Sequence, residues 1–513
     1  MRVRCDTWRM PRAEGVRRAL TIFAVSVLVG SVRAAPPADG AFGGFATVPS
    51  DARLAVRVRD ARALRADARL APLRDALQSL LSSRTLLESW ERLAGQLGMD
   101  ASSLGDQLLG LDVVYAERSG PDATEWVIAT RVDPRVHGLL VERLQPAAGS
   151  GGRAAFAEHR AVAAWRPPYL VVGPAGRTGL LDDVVRAFDA EGDAGTLAAI
   201  PSVAVLRAGT AAPVEVVWRQ DGGGVGSMQA RPVDRGVELA FRGSGSAWPL
   251  RLSASWPVDP AWCAELARGS ALASVGNAWT GPLDAAGPVD RLLAAGGVDD
   301  AMRANLGART ALVVGATPRI DGMTGVPVPE AAVAIEVRDA RLAWSQWRAW
   351  AARLGADLAG RAGMPVPPVR MVAPAKAAID LRGVLVKVFD GHPFAGCGAL
   401  EVEVVAGAGG SWVLVSTGSD AHARMLRSLP SAEGSRAGSV HECGEAAGPP
   451  IARMLEAWAG SASRFARESP AEFADGASLA ARLAAAIERA RWRMRRIGED
   501  SIEGTCMLEV ARP

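Results

Sequence analysis

Residues 111–134, LDVVYAERSGPDATEWVIATRVDP, decide how the chain reads. Leu111–Ala116 and Trp126–Val132 are apolar runs of strand length. Asp133 is a natural N-cap and Pro134 suits the first helical position, so a helix follows through Leu144. The same order returns later in the chain. Leu306-Gly307 precedes a predicted strand Ala311–Gly315, a second strand covers Ala332–Val337, and Asp339 opens a helix to Leu358.

Working outward, the first half carries a half-buried strand at Ala52–Val58, helices at Ala71–Leu81 and Leu86–Leu97, and a strand pair at Ala154–Trp165 and Tyr169–Val172. A helix at Thr178–Phe188, a strand at Val214–Trp218 and a hairpin of Ser227–Ala230 with Val237–Arg242 complete it. The second half offers strands at Val384–Phe389, Leu400–Val405 and Trp412–Ser416, then helices at Asp420–Leu429 and Leu479–Ala490. It closes on a hairpin of Trp492–Arg496 with Ile502–Val510. Paired positions are Val113 with Val313, Trp126 with Ala332, Tyr169 with Trp412, and Leu239 with Leu508. Their offsets of 200, 206, 243 and 269 rise steadily, as an internal duplication with insertions requires. The expected fold is α+β: two similar halves, 46–255 and 256–513, each of largely antiparallel sheet with helices packed on one face.

Three stretches carry a resemblance: VPSDARLAVRV (48–58), LGDQLLGLDVVYAE (104–117) and TLAAIPSVAVL (196–206). Over roughly residues 45–245 the chain resembles a family of bacterial envelope proteins catalogued only as a domain of unknown function. The resemblance implies a fold and a compartment, and it carries over no catalytic or binding residue.

Composition excludes several classes. The 513 residues are 49% hydrophobic and 22% charged, too apolar for a disordered chain. The glycines and prolines show no three-residue period, which excludes collagen. Five cysteines are too few for a disulfide-built scaffold. The formal net charge of +3 comes from residues 1–34, which hold seven arginines and two acids. Beyond them acids slightly outnumber bases, so nucleic acid is not an expected partner.

That N-terminal segment reads as a signal peptide, with a basic region ending in Arg17-Arg18 and the apolar run ALTIFAVSVLVGSV (19–32). Val32-Arg33-Ala34 then offers small residues for cleavage near Ala34. The run is shorter than the roughly 20 residues a membrane span needs. Residues 35–45 form a linker. The expectation is an exported, periplasmic protein with no transmembrane segment after cleavage; retention of the segment as an anchor is the alternative.

The search for chemistry returns few constellations. Phosphate-loop, HExxH and GxSxG motifs are missing, and Ala101–Gly105 (ASSLG) only imitates the last, lacking its strand–turn–helix setting. His392 and Cys397 (HPFAGC), with His441 and Cys443 (HEC), form the one cluster of metal-ligand type, placed on two loops. Four N/S ligands suit zinc, but the spacing fits no common zinc motif. An exported protein favours a Cys397–Cys443 disulfide instead, with free thiols as the remaining alternative. Cys263 and Cys506 fall on apolar faces and are expected in the core. Trp344, Trp347 and Trp350 share a helix face with Leu354, the spacing of a core stripe rather than a ligand platform. Arg491, Arg493 and Arg495 share one strand face: a solvated surface, or one for an anionic partner.

No cofactor is expected. The leading functional reading is a non-enzymatic envelope protein that binds a partner or ligand. A carrier of an apolar, lipid-like ligand between the halves is one alternative, and an enzyme without a recognisable motif is another.

Overall fold

The computed structural model describes residues 44–81, 91–119, 124–144, 147–148, 153–156, 161–190, 195–200, 203, 212–219, 224–244, 258–277, 298, 300–320, 325, 327–381, 383–384, 398–407, 410–430, 440–465, 470–497 and 501–512. The expected signal peptide and linker lie outside them, as do His392 and Cys397. The chain divides near Ala247 into two compact units. No helix among the described residues is long and apolar enough to cross a membrane.

The N-terminal unit has ten strands: β1 (Leu54–Arg59), β2 (Asp112–Ser119), β3 (Thr124–Arg131), β4 (Ala147–Ala148), β5 (Arg153–Phe156), β6 (Ala161–Arg166), β7 (Tyr169–Pro174), β8 (Val214–Arg219), β9 (Val225–Val233) and β10 (Gly236–Ser244). All pair antiparallel, in the order β4-β5-β6-β7-β3-β2-β1-β8-β9-β10. Its helices are α1 (Ala61–Ala66), α2 (Ala71–Leu81), α3 (Ala101–Leu109), α4 (Pro134–Leu144) and α5 (Gly179–Asp189). Asp133 accepts the Arg135 N–H at 2.8 Å, so the predicted aspartate start of α4 is present. ASSLG is the start of α3, and Asp100 caps it through the Ser103 N–H.

The C-terminal unit also has ten long or medium strands: β11 (Ser270–Asn277), β12 (Leu306–Gly315), β13 (Ala331–Val337), β14 (Val369–Ala373), β15 (Lys376–Asp380), β16 (Ala399–Gly407), β17 (Gly410–Ser416), β18 (Glu442–Ala447), β19 (Ile487–Arg496) and β20 (Ser501–Val510). A two-residue pair, Arg319–Ile320 with Pro327–Val328, stands apart from them. The ten again pair antiparallel, in the order β14-β15-β16-β17-β13-β12-β11-β18-β19-β20. The longer helices are α6 (Pro260–Ala267), α7 (Ala340–Ala362), α8 (Ser419–Ser428), α9 (Gly448–Gly460) and α10 (Pro470–Ala485), with short helices at Asp300–Asn305 and Ala462–Phe465. Asp339 caps α7 through the Arg341 and Leu342 N–H groups, and Gly363 ends it in the left-handed region at φ 60°.

Helices cover both faces of these sheets, which corrects the one-face expectation. In β13, Val333, Ile335 and Val337 pack under Trp347, Trp350 and Leu354 of α7. The alternate residues Ala332 and Ala334 pack against Trp262 and Leu266 of α6 and Met425 of α8. In the N-terminal unit Val171 lies under Leu180 and Val184 of α5. Its neighbour Leu170 faces Leu104 of α3 and Leu140 of α4. Strands buried on two sides read as unbroken apolar runs such as Val113–Ala116, not as alternation. Trp347 and Trp350 are core residues and Trp344 is half-buried against them.

Candidate functional site

The chemically richest cluster among the described residues lies under α8. On β17, Trp412, Leu414 and Ser416 share one face; on β16, Glu401 and Glu403 meet it in register, Glu401 opposite Ser416 and Glu403 opposite Leu414. Lys376 of β15 lies opposite Glu403. Helix α8 lies over this face, and its N-terminus is held from outside. Glu330 accepts the Asp420 N–H at 3.0 Å and the Ala421 N–H at 3.4 Å. A β-carbon on Gly418 would collide with that same carboxylate, so a larger residue there would displace Glu330 from the helix start.

Ala421, His422, Met425 and Ser428 form the buried face of α8. His422 therefore points inward and is only 4% exposed. Its Nε2 stands 2.6 Å from Glu403 Oε2, and its Nδ1 stands 2.9 Å from Ser416 Oγ. A neutral imidazole satisfies both, donating from Nε2 to the carboxylate and accepting the serine O–H at Nδ1. Lys376 Nζ lies 2.9 Å from Glu401 and 3.6 Å from Glu403, so it balances the two acids.

Serine, histidine and glutamate in sequence are the ingredients of an acyl-transfer relay. The placement works against that use. Ser416 is 1% exposed and sits between β13 and β16, opposite Ala332 on one side and Glu401 on the other. A substrate carbonyl has no approach to an Oγ enclosed in this way, since attack needs the reacting atoms within about 3–3.5 Å. What the arrangement does is pair the buried His422 ring with Ser416 and Glu403, pinning α8 to the sheet, while Glu401 Oε2 and Trp412 Nε1 stay without a hydrogen bond among the described residues.

A second buried charge cluster occupies the N-terminal unit. Arg57 binds both oxygens of Asp112, at 3.1 and 2.8 Å, and lies 3.8 Å from Glu215. Arg59 pairs with Glu215 at 3.1 Å. Burial opposes the Arg57 charge, but the Asp112 carboxylate more than offsets it and raises the guanidinium pKa. The family-like stretches also meet here: the Ser50 N–H donates to Gly195 O at 2.8 Å and the Leu197 N–H to Val48 O at 2.8 Å. Both stretches contribute core residues, Val48 and Ala52 from one and Leu197 and Ala198 from the other.

The third feature is a strand edge. β14 pairs with β15 on one side and with no described strand on the other. Val366, Met371 and Val372 are each more than half exposed, three of the seven exposed large apolar residues among the described residues, and these three lie within one short stretch. In the N-terminal unit the corresponding place in the strand order is held by β4, described over Ala147–Ala148.

Of the residues singled out in the sequence, Cys443 was expected on a loop and is instead a buried residue of β18. It packs in the same buried apolar cluster as Cys263 of α6. His441 stands just before β18 and accepts the Arg496 N–H at 3.2 Å. Because His392 and Cys397 lie outside the described residues, neither the zinc set nor the Cys397–Cys443 bond is described. Cys506 is only half-buried on β20, short of the core position expected, while Cys263 is buried as expected. Arg491, Arg493 and Arg495 are exposed on one face of β19. Glutamates on both neighbouring strands accompany them: Arg491 lies 3.3 Å from Glu445 and 3.3 Å from Glu509, and Arg495 pairs with Glu503. Sequence reading missed Ser416, Glu403, Lys376 and His422; the one signal was a histidine in step with the apolar face Ala421 and Met425.

No protein-family model, curated protein or solved structure matches the chain.

Proposed function

We propose that this chain is an exported, non-enzymatic envelope protein, a duplicated α+β unit that takes an extended apolar segment of a partner protein onto the free edge of β14. The observation that carries the binding reading is that edge. Its main-chain N–H and C=O groups on one side meet no described strand, and Met371 and Val372 add exposed apolar surface beside them. Soluble proteins guard such edges with lysine, proline or very short strands. In β14 itself only Arg370 is charged, and its prolines end at Pro368, before the strand begins. Strand addition uses the free main-chain groups for affinity and alternate side-chain pockets for specificity.

The duplication is supported by strand order. Numbered from its own first strand, each unit reads 4-5-6-7-3-2-1-8-9-10. A helix follows the third strand in both (α4, α7), and another follows the seventh (α5, α8). Val113 and Val313 lie on β2 and β12, Trp126 and Ala332 on β3 and β13, Tyr169 and Trp412 on β7 and β17, Leu239 and Leu508 on β10 and β20. The non-enzymatic reading rests on the sealed Ser416. Export rests on the N-terminal sequence, and membership of the envelope family on the three stretches quoted above.

The experiment places a photoreactive amino acid at Val372, and separately at the exposed Leu342 of α7, in the full chain in living cells. A single adduct from position 372 that is absent from position 342 supports capture at β14. Equal adducts from both positions, or none from 372, overturn it.

A further inference from the structure

Helix α6 lies along β18, with Trp262, Cys263 and Leu266 in the same apolar cluster as Cys443. The two segments are tied at their starts: the Val258 N–H donates to Val440 O at 2.7 Å, two residues before α6 and two before β18. From that clamp the two segments run side by side to two buried thiols in one apolar cluster. No buried charge is needed to explain the pair. Val275 lies opposite Cys443 on β11 and Arg493 opposite it on β19, and Ala273, Met425 and Trp412 belong to the same apolar cluster.

We propose that Cys263 and Cys443 are a disulfide-forming pair, closed by thiol–disulfide exchange when the chain folds in an oxidising compartment. Exposed loop cysteines are then not the ones that pair; the bond crosses the core between a helix and a strand. The proposal rests on the export reading for its oxidant, which is a disulfide-bearing exchange protein or oxidised glutathione. The Cys263 thiolate attacks one sulfur of that disulfide, forming a mixed disulfide and releasing the other sulfur as a thiolate. The Cys443 thiolate then attacks the Cys263 sulfur and expels the second half of the oxidant. The two protons lost by the protein thiols end on the two released thiolates, and the electron pair passes to the oxidant. Because both sulfurs are buried once α6 is docked, exchange belongs to the stage before docking.

The test is peptide mapping under non-reducing conditions after alkylation of free thiols. The full chain is first refolded with a mixture of reduced and oxidised glutathione, which examines proximity without regard to compartment. A peptide containing Cys263 linked to one containing Cys443 is expected, formed equally well by a Cys397→Ser variant. Reduction should lower Tm by about 5–10 °C, because the bond closes a long loop. A link from Cys443 to Cys397, or alkylation of both Cys263 and Cys443 after oxidation, overturns the proposal. The protein isolated from cells is then mapped in the same way. A bond present after refolding but missing in cells contradicts export while leaving the pair intact. The Cys263→Ser and Cys443→Ser variants must each lose the linked peptide, and because the readout is the covalent link in wild-type and Cys397→Ser protein, their stability does not decide the outcome.

Discussion

Trp492 of β19 lies across Gly444 of β18, its register partner, so closely that a β-carbon at position 444 would overlap the indole ring. The same strand pair of the N-terminal unit holds Trp218 over Gly226, with the two residue types exchanged between strands. Each tryptophan thus uses the missing side chain opposite as its seat. Gly444→Ala should displace the ring and cost about 1–3 kcal/mol of stability, the range for overpacking. In a Trp492→Ala background the same change should cost far less. Thermal unfolding of the four proteins checks this; equal cost in both backgrounds would place the strain in the backbone instead.

Glu442, the neighbour of Gly444, is the acid most altered by its setting. Burial pushes its carboxyl up to about 7, and the Trp492 N–H, at 3.3 Å, offsets only part of that. In the unfolded chain the group loses its proton near 4.5. Between those values the folded state holds more protons, so stability falls as pH rises through that window. Stability measured by urea unfolding from pH 4.5 to 8 should decline, and Glu442→Gln should flatten the decline and raise stability above pH 7. An unchanged slope in Glu442→Gln would assign the dependence to other groups.

Much of the fold was legible because its strands and caps obey local rules. Val113–Ala116 and Trp126–Arg131 are strands by β-branched content, and Asp133 and Asp339 mark helix starts by their side-chain acceptors. What escaped has a physical reason in each case. β11 (SALASVGN) is built of small residues that fit beneath α6 and give no apolar alternation. β18 (ECGEAA) reads as a loop because Gly444 seats a tryptophan and the half-buried Glu442 breaks the apolar pattern. β14 follows three prolines, which hide a strand start. The segment read as helix through Ala490 turns to strand at Ile487, since alanine and arginine carry no period that separates the two. The cluster under α8 escaped for a different reason: Glu403, Ser416 and His422 meet only through the β16–β17 register and the docking of α8.

His422 is the residue on which that cluster depends. His422→Ala strands a buried serine hydroxyl and a carboxylate and opens a cavity, a loss of about 2–4 kcal/mol. Ser416→Ala removes one hydrogen bond and should cost about 1 kcal/mol. Neither change should alter ester hydrolysis, because Ser416 is 1% exposed. A panel of activated esters assayed with wild type and Ser416→Ala checks this directly. Turnover by the wild type that disappears in Ser416→Ala would make the cluster catalytic.

The β14 edge predicts a separation of binding from stability. Met371 and Val372 are more than half exposed, so replacing both with lysine removes little buried surface. Surface changes of this kind stay within about 0.5 kcal/mol. Lysines on an edge repel an incoming strand's apolar side chains and are the usual guard against pairing. In the double variant Met371→Lys, Val372→Lys, thermal unfolding should match the wild type. The adduct formed by a photoreactive group at Val366, just before the strand, should fall by about tenfold, the effect of losing ~1.4 kcal/mol of binding. An adduct that survives the two lysines would move the binding site away from this edge, and a collapse in Tm would show that β14 is held by contacts its exposure does not reveal.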